Sequence, residues 1–151
     1  MITEDHVSFE TAKLLKEKGF NEECYCFWQY DKANNKDDTD GISLLECIPI
    51  NLSERNVYLS SCNSKIDYLF KDKLMSSGYS APTLQMAMKW LRENYGIFCV
   101  LRQYVEKNME DISYNWNVEG KSGISVGNGG GFRTYEQACE AAIKYCLENL
   151  I

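Results

Sequence analysis

The stretch Ile112-Ser-Tyr-Asn-Trp-Asn-Val118 decides the fold, because Ile112, Tyr114, Trp116 and Val118 alternate with Ser113, Asn115 and Asn117. Successive side chains of a strand point to opposite faces, so this period of two predicts a strand with one buried and one wet face. Upstream, Ile97 to Val105 reads as a partner strand, and the polar stretch Glu106 to Asp111 between them predicts an antiparallel hairpin. Before that strand, Leu84, Ala87, Met88, Leu91 and Tyr95 keep one helical face, with Met86 and Trp90 outside the stripe. Ser80-Ala81-Pro82 supplies a cap and a first-turn proline for this helix, and Gly96 follows it as a stop. Downstream, Thr134-Tyr-Glu-Gln137 is a capping box that opens a last helix. Its apolar stripe runs through Ala138, Cys139, Ala142, Ile143, Cys146, Leu147 and Leu150.

The first half is less regular. Ser8 as N-cap, Phe9, Ala12 and Leu15 at helical spacing, and Gly19 as the residue after the helix predict a helix over about Phe9 to Lys18. Cys24 to Tyr30 is aromatic-rich and reads as a strand, Ile42 to Ile48 as a second, with Asp31 to Gly41 as a polar hairpin loop between them. Over Pro49 to Tyr79 the signals weaken: Asn56 to Ser60 fits a short strand, Ile66 to Leu74 fits strand or helix, and Ser76-Ser-Gly78 closes the region. Lys13 to Gly19 and Lys89 to Gly96 form a faint pseudo-repeat of amphipathic helix ends. The order of elements predicts a single α+β domain over residues 1–151, an antiparallel or mixed sheet with helices packed on one face. A chain of 151 residues matches the usual size for one hydrophobic core.

Composition removes some classes of function. A net charge of −6 argues against a phosphate backbone as the main partner, since that affinity comes from Lys and Arg. No apolar run approaches the roughly 18 residues that span a bilayer. The polar, acidic start Met1 to His6 lacks the basic and apolar regions of a signal peptide. The seven cysteines, at 24, 26, 47, 62, 99, 139 and 146, lack the spacing of a disulfide scaffold, so the expected setting is a reducing cytoplasm.

Few residues are arranged for chemistry. Cys24-x-Cys26 is too tight for the common zinc knuckle, and Cys139 and Cys146 share a helix face, so buried structural thiols are the expected reading, with no metal site and no cofactor. His6 is the only histidine, and no catalytic triad or dyad spacing surrounds it. Asp37, Asp38 and Asp40 lack the EF-hand pattern and read as a solvated hairpin tip. The most suggestive feature is Gly127-Asn-Gly-Gly-Gly131, followed by Phe132, Arg133 and the helix start at Thr134. Glycines let a backbone approach a ligand, and a helix N-terminus favours anions. Gly129, Gly130, Gly131, Arg133, Thr134, Tyr135 and Trp116 are therefore the candidate ligand-binding residues, although the segment matches neither dinucleotide nor phosphate-loop fingerprints. The competing reading is a mobile surface loop. Tyr104, Tyr114, Trp116, Phe132 and Tyr135 fall on adjoining elements and fit either an aromatic patch or core, with core favoured for Tyr114 and Trp116.

Three blocks carry a resemblance: Val7-Ser-Phe-Glu-Thr-Ala-Lys-Leu-Leu-Lys-Glu-Lys-Gly-Phe20, Ala81-Pro-Thr-Leu-Gln-Met-Ala-Met-Lys-Trp-Leu-Arg-Glu93, and Thr134-Tyr-Glu-Gln-Ala-Cys-Glu-Ala-Ala-Ile-Lys-Tyr-Cys-Leu-Glu-Asn-Leu-Ile151. They resemble a family of small proteins, without assigned activity, encoded by phages and prophages of Bacteroidales-type gut bacteria. The resemblance covers both ends and the middle helix, while Gly41 to Tyr79 diverges. It implies no catalytic residues.

The leading expectation is a non-enzymatic phage or prophage accessory protein that binds a host protein, such as a defence component, in the host cytoplasm. An alternative class is a binder of a small anionic ligand or nucleotide at the glycine-rich segment. A small enzyme is the third reading, and a homodimer is compatible with each.

Overall fold

The computed structural model of the protein describes residues 4–31, 42–46, 62–70, 76–105 and 112–151. Among them are four helices and six strands, an α+β fold whose strands form two antiparallel three-stranded sheets where one sheet was expected. By its contacts the chain divides into two compact units, one of Ser8–Pro82 and one of Thr83–Ile151 with the N-terminal residues up to Val7. Of the loop expected over Asp31 to Gly41, Asp31 lies in a strand and residues 32–41 lie outside the described residues, as do the expected loop at 106–111, the strand at 56–60 and the three aspartates of the hairpin tip.

In the Ser8–Pro82 unit, the Ser8 hydroxyl accepts from Thr11 N at 3.3 Å and starts α1 (Phe9–Glu17) as its sequence predicts. The helix ends on Gly19 at φ 89°, with Gly19 N bonded to Lys16 O and Phe20 N to Leu15 O. That pair of bonds is the Schellman motif, and Leu15 and Phe20 are both buried. Strand β1 (Cys26–Asp31) lies between β2 (Ile42–Glu46) and β3 (Ser76–Ser80), antiparallel to both. Residues expected only to close a loop, Ser76-Ser-Gly78, are thus part of a strand: Gln29 pairs with Gly78 and Phe27 with Ser80. Serine and glycine have poor strand propensity, and distant partners hold them instead. Lys16 donates to Gly78 O at 3.1 Å, pairs with Asp67, and sits 5.0 Å from the centre of the Tyr79 ring. Phe9 meets Tyr79 and Trp28 edge-on.

The ambiguous segment at Ile66 is helical, α2 (Asn63–Phe70). Its first residue, Asn63, is only 4% exposed and bonds in two directions. Nδ2 donates to Phe20 O at 2.6 Å and Oδ1 accepts from Ser80 N at 2.9 Å. One amide therefore joins the end of α1, the start of α2 and the end of β3.

The second unit begins with α3 (Leu84–Tyr95). Its cap is Thr83, whose hydroxyl accepts from Met86 N at 3.2 Å, rather than the Ser80-Ala81-Pro82 segment that the sequence put forward. Ser80 is taken up by pairing with β1, which leaves the next hydroxyl to serve the helix. The N-terminal residues reach the same place: Leu84 N donates to Asp5 O, and His6 forms an isolated bridge with Thr83. Trp90, outside the expected stripe, is buried and meets Tyr95 edge-on. Gly96, left-handed at φ 68°, ends the helix with Gly96 N bonded to Arg92 O and Ile97 N to Leu91 O, each reaching one residue further back than the matching bond of α1, so the two helices of the pseudo-repeat terminate differently.

Strands β4 (Phe98–Val105), β5 (Ile112–Glu119) and β6 (Ser125–Phe132) follow as an antiparallel meander. Helix α4 (Tyr135–Asn149) packs on all three, and α3 packs on α4 and β4. Trp116 and Val118, on the inner face of β5, are buried with Ala138, Cys139, Ala142, Ile143, Cys146 and Leu147 of α4, as the two periodicities predict. Small alanines on α4 let the helix come close to the sheet.

Asn63→Ala removes the partner of Ser80 N–H and of Phe20 C=O, and leaving buried polar groups unpaired costs about 1–3 kcal/mol each. The expected loss in urea unfolding is at least about 2 kcal/mol. Ser80→Ala removes a buried hydroxyl that has no hydrogen-bond partner among the described residues, and its expected effect is within about 0.5 kcal/mol of zero or stabilising.

Candidate functional site

The glycine-rich segment is not a loop. Val126 to Phe132 lie in β6, paired with β5 through Gly127 with Val118, Asn128 with Asn117, Gly129 with Trp116 and Phe132 with Tyr114. Two register shifts interrupt the pairing, between Tyr114 and Trp116 and between Val118 and Glu119. The glycines are there because other side chains occupy the space of their missing Cβ atoms. A Cβ on Gly127 would lie 2.2 Å from the Tyr145 ring, one on Gly129 2.6 Å from the Trp116 indole, and one on Gly130 2.1 Å from Asn115 Oδ1. Two rings thus cover an edge strand that has little side chain of its own, a known means of stabilising glycine in sheets. Tyr145 also donates to Val126 O at 3.0 Å, and Asn115 Oδ1 accepts from Gly131 N at 3.1 Å.

This packing distributes the seven predicted ligand residues. Gly129 and Trp116 meet on the inner face, where the buried indole Nε1 has no hydrogen-bond partner among the described residues. Gly130 lies against Asn115 on the opposite face, and Gly131 is exposed at φ 84°. Arg133 is exposed, and Thr134 caps α4 by accepting from Gln137 N at 3.1 Å, so that first-turn donor is already used. Tyr135 meets Tyr114 edge-on and lines a cavity of about 160 Å³ with Gln85, Glu4, Asp5 and Glu136. Burial holds the Tyr135 phenol above its ordinary range, partly offset by a hydrogen bond with Gln85. Three carboxylates around this cavity repel an anion, and the volume is below the roughly 300 Å³ at which small-molecule sites begin. Among the described residues no group of three or more His, Cys, Asp and Glu is placed to hold a metal ion, and no helix is long and apolar enough to cross a membrane.

The more open surface is the face of the β4–β5–β6 sheet turned away from α4. Residues directly opposite in the register share a face, so this one carries Phe98 with Glu119, Val100 with Asn117, Arg102 with Asn115 and Tyr104 with Ser113. Its centre is polar and bonded to itself: Ser125 Oγ donates to Asn117 Oδ1, and Asn117 Nδ2 donates to Glu119 Oε1 at 3.0 Å. Its margin along β4 differs. Phe98 is 43% exposed, Tyr104 is 62% exposed, and Arg102 is exposed between them. Val105 and Ile112, paired at the end of the hairpin, are exposed as well, on the side of the sheet that carries Trp116. Sequence reasoning named Tyr104 but missed Phe98 and Arg102, although the strand period that put Trp116 inward also puts these three on the other face.

Gly129→Ala drives a Cβ into the Trp116 indole, and the expected destabilisation is about 1–3 kcal/mol, read as a lower urea midpoint. Trp116→Leu deletes the part of the ring that collides, Cε2, Cζ2 and Nε1. In a double-mutant cycle the pair is therefore less destabilised than the sum of the single changes, and strict additivity would contradict the close approach.

Compared with protein-family models, curated proteins and solved structures, the chain matches none.

Proposed function

We propose that the protein acts by binding another protein through the β4 margin of its second sheet, as a phage or prophage accessory protein directed at a host component. The observation that carries this reading is the exposure of Phe98, Arg102 and Tyr104 on one face of one strand, with the half-buried Val100 between the first two. Aromatic residues and arginine are enriched at interface centres and dominate binding energy when they become buried there. β4 pairs with β5 alone among the described strands, so its other edge offers backbone groups for strand addition alongside those side chains. The host-directed part of the proposal comes from the family resemblance and the acidic, aromatic-rich sequence.

A small-ligand binder at Gly129 to Thr134 has less support. The Trp116 indole and the Asn115 amide fill the space beside Gly129 and Gly130, and carboxylates surround the neighbouring cavity. A turnover function has no residue constellation to argue from.

The test compares capture of partners from host lysate by the wild-type chain, a Phe98→Asp/Tyr104→Asp variant and a Lys121→Glu control. The expected outcome is one partner retained by wild type and control and at least about tenfold depleted on the double variant, the loss of two anchors. Equal retention by all three places binding elsewhere and sinks this reading. Native mass spectrometry of freshly purified protein separates the alternatives: a small mass excess lost on denaturation favours the ligand binder, and a doubled mass favours the homodimer.

A further inference from the structure

Beneath the same sheet, on its helix-covered side, two cysteines from distant parts of the chain meet. Cys99 lies on β4 opposite Val118, and Cys146 projects from the buried face of α4. Their sulfurs are 3.9 Å apart. A disulfide bond is about 2.05 Å, so the closure needed is about 2 Å shared between two side chains. The two residues are not equivalent. Cys99 is partly exposed, while Cys146 is wholly buried.

We infer that Cys99 and Cys146 form a reversible redox site, in which Cys99 reacts with a small-molecule disulfide and Cys146 resolves the product into a bond that staples α4 to β4. The hydrogen bond from the Cys146 thiol favours the Cys99 thiolate and holds its pKa below the ordinary thiol value against the opposing effect of burial. The same hydrogen bond, with burial and the Cys99 charge, pushes the Cys146 thiol upward. Cys139, the third cysteine nearby, is pushed up to about 11, chiefly by burial, and stays a thiol. The thiolate is the attacking form, so the geometry and the charge both select Cys99.

With oxidised glutathione as reagent the steps balance. The Cys99 thiolate attacks one glutathione sulfur, the glutathione S–S bond breaks, and one glutathione leaves as thiolate and takes up a proton from solvent. A Cys99–glutathione mixed disulfide remains, and its formation removes the negative charge that had held the proton on Cys146. Cys146 then loses its proton to solvent and attacks the Cys99 sulfur, forming the Cys99–Cys146 bond and expelling the second glutathione. Two protein thiols are oxidised and one small disulfide is reduced to two thiols.

The experiment treats the folded, full-length wild-type chain with oxidised glutathione, then denatures it in alkylating agent and records intact mass and peptide map. The expected result is loss of two hydrogens, alkylation of five of the seven cysteines, and one cross-linked pair of peptides containing Cys99 and Cys146. Full alkylation of all seven, or a bond that joins any other pair, overturns the inference. A Cys146→Ser variant is expected to hold one glutathione on Cys99, and glutathione at another residue overturns the assigned order of attack. Thermal melting separates a staple from an incidental bond: the oxidised chain is expected to melt several degrees higher than the reduced one, reversibly with dithiothreitol, and an unchanged midpoint counts against a staple.

Discussion

The second unit depends on the approach of two aromatic rings to the backbone of an edge strand. Trp116 reaches across from β5 and Tyr145 reaches down from α4, and both occupy volume that side chains on Gly127 and Gly129 would otherwise fill. Their rings lie 5.0 Å apart, so strand, neighbouring strand and helix converge on one contact. Because packed interiors tolerate little extra volume, a methyl group at either glycine separates the layers. The alanines of α4 extend the same close fit along the helix. The Tyr145 hydroxyl adds a directional bond to Val126 O, which fixes where along β6 the helix can sit.

The first unit solves its assembly with a buried amide instead. Asn63 satisfies one backbone donor and one backbone acceptor belonging to two other elements, and such a group stabilises only when both bonds are made. This arrangement explains how the serine- and glycine-rich β3 persists as a strand. Its order comes from β1 along one edge, from Asn63 at its end and from Lys16 at Gly78, with little contribution from intrinsic preference.

The candidate surface and the thiol pair follow from one feature of β4, its alternation. Phe98, Arg102 and Tyr104 face away from α4, whereas Cys99 faces toward it, one residue from Phe98. The Asn115, Asn117 and Ser125 cluster makes the middle of the outer face polar and internally bonded, so apolar exposure concentrates along the margin. A partner that docks there covers the strand from which Cys99 projects inward. The proposed docking surface and the proposed thiol site thus lie on the two faces of the same strand.

Local signals were legible in the sequence. Period-two alternation at Ile112 to Val118, helical stripes in α3 and α4, and caps at Ser8 and Thr134 each depend on residues within a turn or a strand, and each of these elements is present, although in α3 Trp90 is buried and Tyr95 exposed where the stripe had them the other way round. The inward position of Trp116 followed from the same alternation. Tertiary structure decided what distant partners impose. Gly127 to Gly131 carries the local signature of a loop and is a strand paired with β5, with Tyr145, Trp116 and Asn115 occupying the space at Gly127, Gly129 and Gly130. Ser80 looks like a helix cap until β1 claims it, and the cap passes to Thr83. Cys99 and Cys146 are 47 residues apart and meet only when α4 folds back over β4. Propensity and periodicity are short-range, whereas occupied volume and paired edges are set by the rest of the chain, and that difference separates what could be read from what had to be seen.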